Sequence, residues 1–134
     1  MDAVAVMRAL LAAYAPLVAL VGTKIHAGDV PLDEAPAVGI REISRVEQDT
    51  VGRAGAKTLV TARVQVTVYA KSYRDQKAVL NAARLGPGVH TGTVADVQVL
   101  SVLREGVGPD LSDPAAGSFE QSRDFKISYR EPNA

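Results

Sequence analysis

The sequence predicts an α+β domain: an antiparallel four-stranded sheet with helices packed on one face, in the order α-β-β-α-β-β. Three observations carry this. Between Val60 and Ala70 apolar and polar residues alternate without interruption, the period of a strand buried on one face only. Immediately afterwards "KSYRDQKAVLNAARLG" changes to spacings of three and four, which is a helix with one apolar face. Finally, "RDFKISYRE" returns to alternation through Phe125, Ile127 and Tyr129. The 134 residues fit one domain spanning 1–134, long enough to bury about two thirds of the surface its unfolded form exposes.

The first element is "MDAVAVMRALLAAYAPLVALVG". Asp2 is placed to cap a helix at its positive end, and Val6, Leu10 and Ala13, with Met7, Leu11 and Tyr14, form one broad apolar face. Pro16 cannot donate to a continuing helix but suits the first turn of a new one. The helix therefore stops near Ala13, and a short turn from Pro16 to Val21 closes at Gly22. Arg8 and Pro16 interrupt the run that a membrane span needs, and Asp2 stands where a signal peptide carries cations. The segment reads as a buried amphipathic helix.

"TKIHAGDVPLDEAPAV" has the prolines and acids of a surface loop. In "AVGIREISRVEQD" the apolar positions Val38 and Ile40 shift phase to Ile43, which predicts a strand with a bulge or one covered on both faces. "TVGRAGAK" is a glycine-bearing hairpin tip with two cations, Arg53 and Lys57. In the strand that follows, Val60, Ala62, Val64, Val66, Val68 and Ala70 point one way, and Thr61, Arg63, Gln65, Thr67 and Tyr69 the other. Ser72 caps the next helix, with Asp75 three residues on, and Gly86-Pro87 ends it. Val79, Leu80, Ala82, Ala83 and Leu85 supply its core face. "VADVQVLSVLRE" is apolar on both faces and predicts a central strand. "GVGPDLSDPAAGSFEQS" has the composition of a long mobile loop.

Several chemistries are excluded or unsupported. With no cysteine there is neither a disulfide framework nor a thiolate metal site. The two histidines, His26 and His90, lie on separate loops without ligands at metal spacing. "GPGVHTG" follows a helix rather than a strand, the wrong context for a dinucleotide loop. No serine sits in a nucleophile elbow. The acid pairs Asp33/Glu34 and Asp110/Asp113 lie among prolines and glycines, where carboxylates serve solvation more often than acid–base work. Aromatic residues are too few on the polar strand face for a base-stacking platform. Fifteen basic and fifteen acidic residues cancel, so no global field draws the chain to nucleic acid or membrane. Locally, however, Arg41, Arg45, Arg53, Lys57, Arg63, Lys71 and Arg74 meet only Glu42, Glu47 and Asp49, with Asp75 just beyond.

Taken together, "LVALVGTKIHAGDVP", "EAPAVGIREIS", "ARVQVTVYAKSYRDQKAVLNAA", "GPDL" and the closing "RDFKISYR" resemble the tail completion, or tail terminator, proteins of long-tailed bacteriophages and gene transfer agents, over nearly the whole chain. The resemblance implies a structural virion protein and no enzyme. Such a protein caps the tail tube as a ring, commonly of six subunits, ends its elongation and provides the head-joining surface. It also implies as partners the chain itself, the tail tube protein and a head-completion or connector protein. On the same resemblance no cofactor, metal or membrane is expected, DNA is expected to pass through the ring without specific binding, and the protein is expected at the head-proximal end of the tail after assembly in the host cytoplasm. The family offers no catalytic residues to carry over. The residues expected at subunit or tube contacts are Arg53 and Lys57 at the hairpin tip, Arg63, Gln65 and Tyr69 on the polar strand face, and Asp110 in the long loop. The competing reading is a monomeric α+β module binding nucleic acid or protein through the basic middle segment; an enzyme whose site assembles only in space is a third.

Overall fold

The computed structural model describes residues 2–48, 57–86, 91–113, 115 and 117–132. Its elements are α1 (Asp2–Ala12), α2 (Ala15–Val21), β1 (Ile25–Ala27), a single 3-10 turn (Leu32–Glu34), β2 (Ala37–Gln48), β3 (Lys57–Ala70), α3 (Tyr73–Ala82), β4 (Gly92–Val94), β5 (Val97–Val107), β6 (Leu111–Asp113) and β7 (Ser118–Pro132). The strands form one sheet in the order β1-β2-β3-β7-β5-β4, with β6 pairing the start of β7. All pairings are antiparallel except β1 with β2, which is parallel.

The α+β class holds, and the four long strands and two longer helices follow in the expected order. The four-stranded antiparallel sheet does not hold: seven strands are present among the described residues, one pair of them parallel. The three additional strands are three residues each. They lie inside the stretches that composition marks as loops. A three-residue strand is too short to show a period, and a long neighbour's free edge is enough to recruit it. Two further expectations change for the same reason. The stretch 106–122 carries β6 and the start of β7 rather than a continuous loop, and β5 is flanked only by β7 and the short β4 instead of lying at the centre.

The core forms between the helices and one sheet face. Val60, Ala62, Val64, Val66, Val68 and Ala70 are all buried, opposite Phe125, Ile127 and Tyr129 of β7. Met7 and Leu11 of α1, Leu17 and Val21 of α2, and Val79 and Leu80 of α3 close over them. The break at Pro16 turns α2 by 86° from α1, and Arg8 Nε ties α1 to the sheet edge through the Ile25 carbonyl at 3.0 Å. No single helix among the described residues is long and apolar enough to cross a membrane. Ser72 caps α3 as its sequence implies, accepting from the Asp75 amide at 3.1 Å. The helix ends at Ala82, short of Gly86, because Leu85 and Gly86 both take positive φ (67° and 66°). The phase shift in β2 is a bulge at Ile43, between Glu42 and Ser44. The Asp2 side chain, the Arg53 tip, Pro87 and His90 lie outside the described residues.

Candidate functional site

The sheet face away from the helices is the first candidate surface. On it Arg63, Gln65 and Tyr69 share a strand and alternate with the core residues. Arg63 and Gln65 are engaged across the sheet, as is Thr61 on the same face. Arg63 grips Asp124 through Nε at 3.0 Å and a terminal nitrogen at 2.7 Å, Gln65 Nε2 reaches Ser122 Oγ at 3.3 Å, and Thr61 meets Ser128 at 3.2 Å. Burial first, and then the nearby Glu120 charge, push the Tyr69 phenol above its ordinary pKa, against a smaller opposing pull from Arg41. The phenol therefore stays neutral and presents a hydroxyl. This face carries a row of cross-strand polar pairs.

Three of the seven cations of the basic middle segment, Arg41, Arg45 and Arg63, are paired with carboxylates. Arg41 pairs with Asp29. Arg45 bonds Glu131 and Glu47 and donates to the Tyr129 hydroxyl at 3.1 Å; the Glu131 bond is the main reason its guanidinium is held even more firmly charged than usual. Cations that look unopposed along the chain find carboxylates across strands. Lys57 begins β3, and its side chain lies outside the described residues.

Asp110 closes a clasp between the loop after β5 and α3. It accepts from Lys77 Nζ at 2.5 Å and from the Tyr73 hydroxyl at 3.0 Å, while the ammonium lies 5.0 Å from the centre of the Tyr73 ring. Lys77 also reaches Gln121 Oε1 at 2.8 Å, and Gln121 Nε2 holds the Gly108 carbonyl at 2.8 Å. The Lys77 bond is the main cause that lowers the Asp110 pKa, and the same bond raises that of Lys77.

A third surface carries residues that sequence reading passed over. Arg84 after α3, Arg104 of β5 and Arg123 of β7 line one groove of about 560 Å³, with Lys77, Asn81 and Glu105 around it. Arg123 is buried and donates to the Leu80 carbonyl at 2.8 Å; Arg104 donates to the Gly86 carbonyl at 3.1 Å. Both bonds satisfy carbonyls at or beyond the C-terminal end of α3, where cations are favoured. Burial, then Arg84 and Arg104, all act to lower the Arg123 pKa. Among the described residues none of the three arginines has an ion-pair partner. One signal was available: Arg123 shares the parity of Phe125, Ile127 and Tyr129, which places it on the core side.

Among the described residues no group of three His, Cys, Asp or Glu side chains converges as a metal site. His26 Nε2 contacts Glu34 instead.

No protein-family model matches the chain, and no curated protein matches it. In structure it is similar to a chain from the virion of a native gene transfer agent particle, with a TM-score of 0.60 over 96% of this chain and 94% of that one, at 18% sequence identity. The two chains share a fold. The likeness extends over nearly all of both chains.

Proposed function

We propose that this chain is a structural virion protein of the tail terminator kind, which caps the tail tube as a ring of copies, stops its elongation and offers the surface that joins the head. The observation that carries the reading is the near full-length fold shared with a gene transfer agent virion chain, in agreement with the resemblance of the sequence motifs. The physical character of the molecule supports it. The long strands are tied side by side and clasped to α3, and the polar face of β3 is pre-paired, as a rigid ring segment requires. The contacts proposed are the β3 face with Arg63, Gln65 and Tyr69, the Arg53 and Lys57 tip, and the Asp110 corner. The partners are other copies of the chain, the tail tube protein and a head-completion or connector protein, with DNA passing through unread. The protein is not an enzyme on this reading.

The rival, a monomeric module acting through the basic middle segment, loses support because Arg41, Arg45 and Arg63 are matched by carboxylates. Electron microscopy of particles lacking this protein decides between them. Overlong or headless tails are expected; normal joined virions would refute the terminator reading.

A further inference from the structure

Two strand edges lack a partner over much of their length among the described residues. On β2 only Val38, Gly39 and Ile40 pair with β1, so the edge from Arg41 to Gln48 has no partner among the described residues. On β5 only Val97, Gln98 and Val99 pair with β4, so the edge from Leu100 to Val107 likewise has no partner strand among the described residues. Unpaired edges of this length are templates for another strand unless they are blunted. Here charges and register shifts blunt them only in part: between the charged residues Ile43 is 50% exposed and Val46 58% on one, Leu103 56% and Val107 50% on the other.

The two edges match in direction, face and charge. Successive antiparallel pairings make β2 and β5 run in opposite directions. A second copy set beside the first, in the same orientation, thus brings its β2 antiparallel to the first copy's β5. The row that crosses the sheet on the helix side runs Glu42, Val64, Phe125, Arg104. Glu42 and Arg104 are its two ends; both are exposed, and neither has an ion-pair partner among the described residues. Beside Arg104 lie Arg84 and the buried Arg123, three like charges that repel one another, with Glu105 in the same lining.

We infer that copies of this chain join head to tail by edge pairing of β2 on β5, with Glu42 of one copy seated in the Arg84–Arg104–Arg123 groove of the next. The forked guanidinium accepts a carboxylate through two parallel bonds, which fixes the register as well as the partner. Edge pairing supplies the main-chain bonds, and Ile43 and Val46 on one edge and Leu103 on the other leave water together. Such a contact is heterologous, so it closes into a ring or runs on as a filament according to the rotation between copies. The inference rests on the ring reading above and specifies its contact.

Charge exchange tests it. Wild-type protein, Glu42→Arg, Arg104→Glu and the double exchange are compared for ring formation by native mass spectrometry and by electron microscopy on purified tail-tube ends. The thermal midpoint of each serves as the folding control, and Glu42→Gln and Arg104→Gln serve as milder variants. Each reversal is expected to lower ring occupancy at least tenfold, and the double exchange to restore most of it. Folded single variants that assemble like wild type, or a double exchange that fails to rescue them, would overturn the pairing while leaving the ring intact. Absence of rings from wild-type protein in both assays would overturn the ring reading, and this contact with it. Salt-sensitive binding of a labelled DNA oligonucleotide, lost in Arg104→Glu while rings persist, would assign the groove to phosphate and also overturn the inference.

Discussion

Replacing Gly39 by alanine tests how the loop after β1 is packed. Gly39 lies on β2 opposite Thr67, and a Cβ there would stand 2.9 Å from Val30 Cγ2, 3.0 Å from the Gly28 carbonyl oxygen and 3.6 Å from Tyr69 Cε2. The Val30 tip can rotate away. The Gly28 carbonyl has less freedom, because the Gly28 amide is bonded to the Ile40 carbonyl at 2.8 Å. Overpacking of this kind costs about 1–3 kcal/mol, and removing a glycine's freedom from the unfolded chain offsets roughly 0.5–1 kcal/mol of it. The net loss for Gly39→Ala is about 1–2 kcal/mol, a fall in melting temperature on the order of 5 °C. Urea unfolding followed by far-ultraviolet circular dichroism reads this as a lower midpoint at unchanged slope. Adding Val30→Ala should recover part of the loss, since the side-chain contact is removed and the carbonyl contact stays. A Gly39→Ala variant within about 0.3 kcal/mol of wild type would refute the close packing of the loop on β2.

Three further outcomes are expected. Phe125→Ala, which empties a site in the middle of the core row, should cost about 3–5 kcal/mol in the same unfolding assay; a loss below about 1 kcal/mol would contradict its burial. Ser72→Ala should remove about 1 kcal/mol by uncapping α3, and Ser72→Asp should retain most of it; equal stability of all three would show that the cap contributes nothing. For the Asp110 clasp the sign follows from the shifts. The aspartate's pKa is depressed on folding, so its contribution is present above the usual carboxylate range near pH 4 and is lost as the pH falls through the folded value. Lys77 is raised, so its share is present below the usual lysine range near pH 10 and is lost as the pH rises through the folded value. Asp110→Asn should therefore narrow the stability difference at both ends of the pH range, and unfolding midpoints with an unchanged pH profile would remove the clasp from the account.

Much of the frame was legible from the residues. The β3 alternation gave six buried positions because a half-buried strand must repeat every two residues, and Ser72 followed from the chemistry of free helix amides. The phase shift at Ile43 announced its bulge. What escaped reading was whatever depends on the partner rather than on the segment. Ile25, His26 and Ala27 form a strand because the start of β2 lies open beside them, and nothing within three residues can signal that. The middle basic run looked exposed because its carboxylates, Asp29, Asp124 and Glu131, come from other parts of the chain. The arginine groove draws one residue each from the segment after α3, from β5 and from β7; each alone reads as an ordinary surface cation. Glu42 follows Val38 and Ile40 in parity, and that core-side placement of an acid was the one local hint of the opposite edge.

The position of β7 has a kinetic meaning as well. It follows every other described element in the chain, yet it lies between β3 and β5 along its length, pairing residues as remote as Lys57 and Pro132. The β2–β3 hairpin can form early, but β5 has no strand to hold it against β3 until β7 is laid down between them. Folding is thereby tied to long-range closure, which is slow compared with local pairing. Because the row from Glu42 to Arg104 passes through Phe125, its two ends come into line only when β7 is in place. A partly made chain consequently holds at most one of the two edges in its final place, so on the edge-pairing inference above any joining of copies would follow completion of the fold.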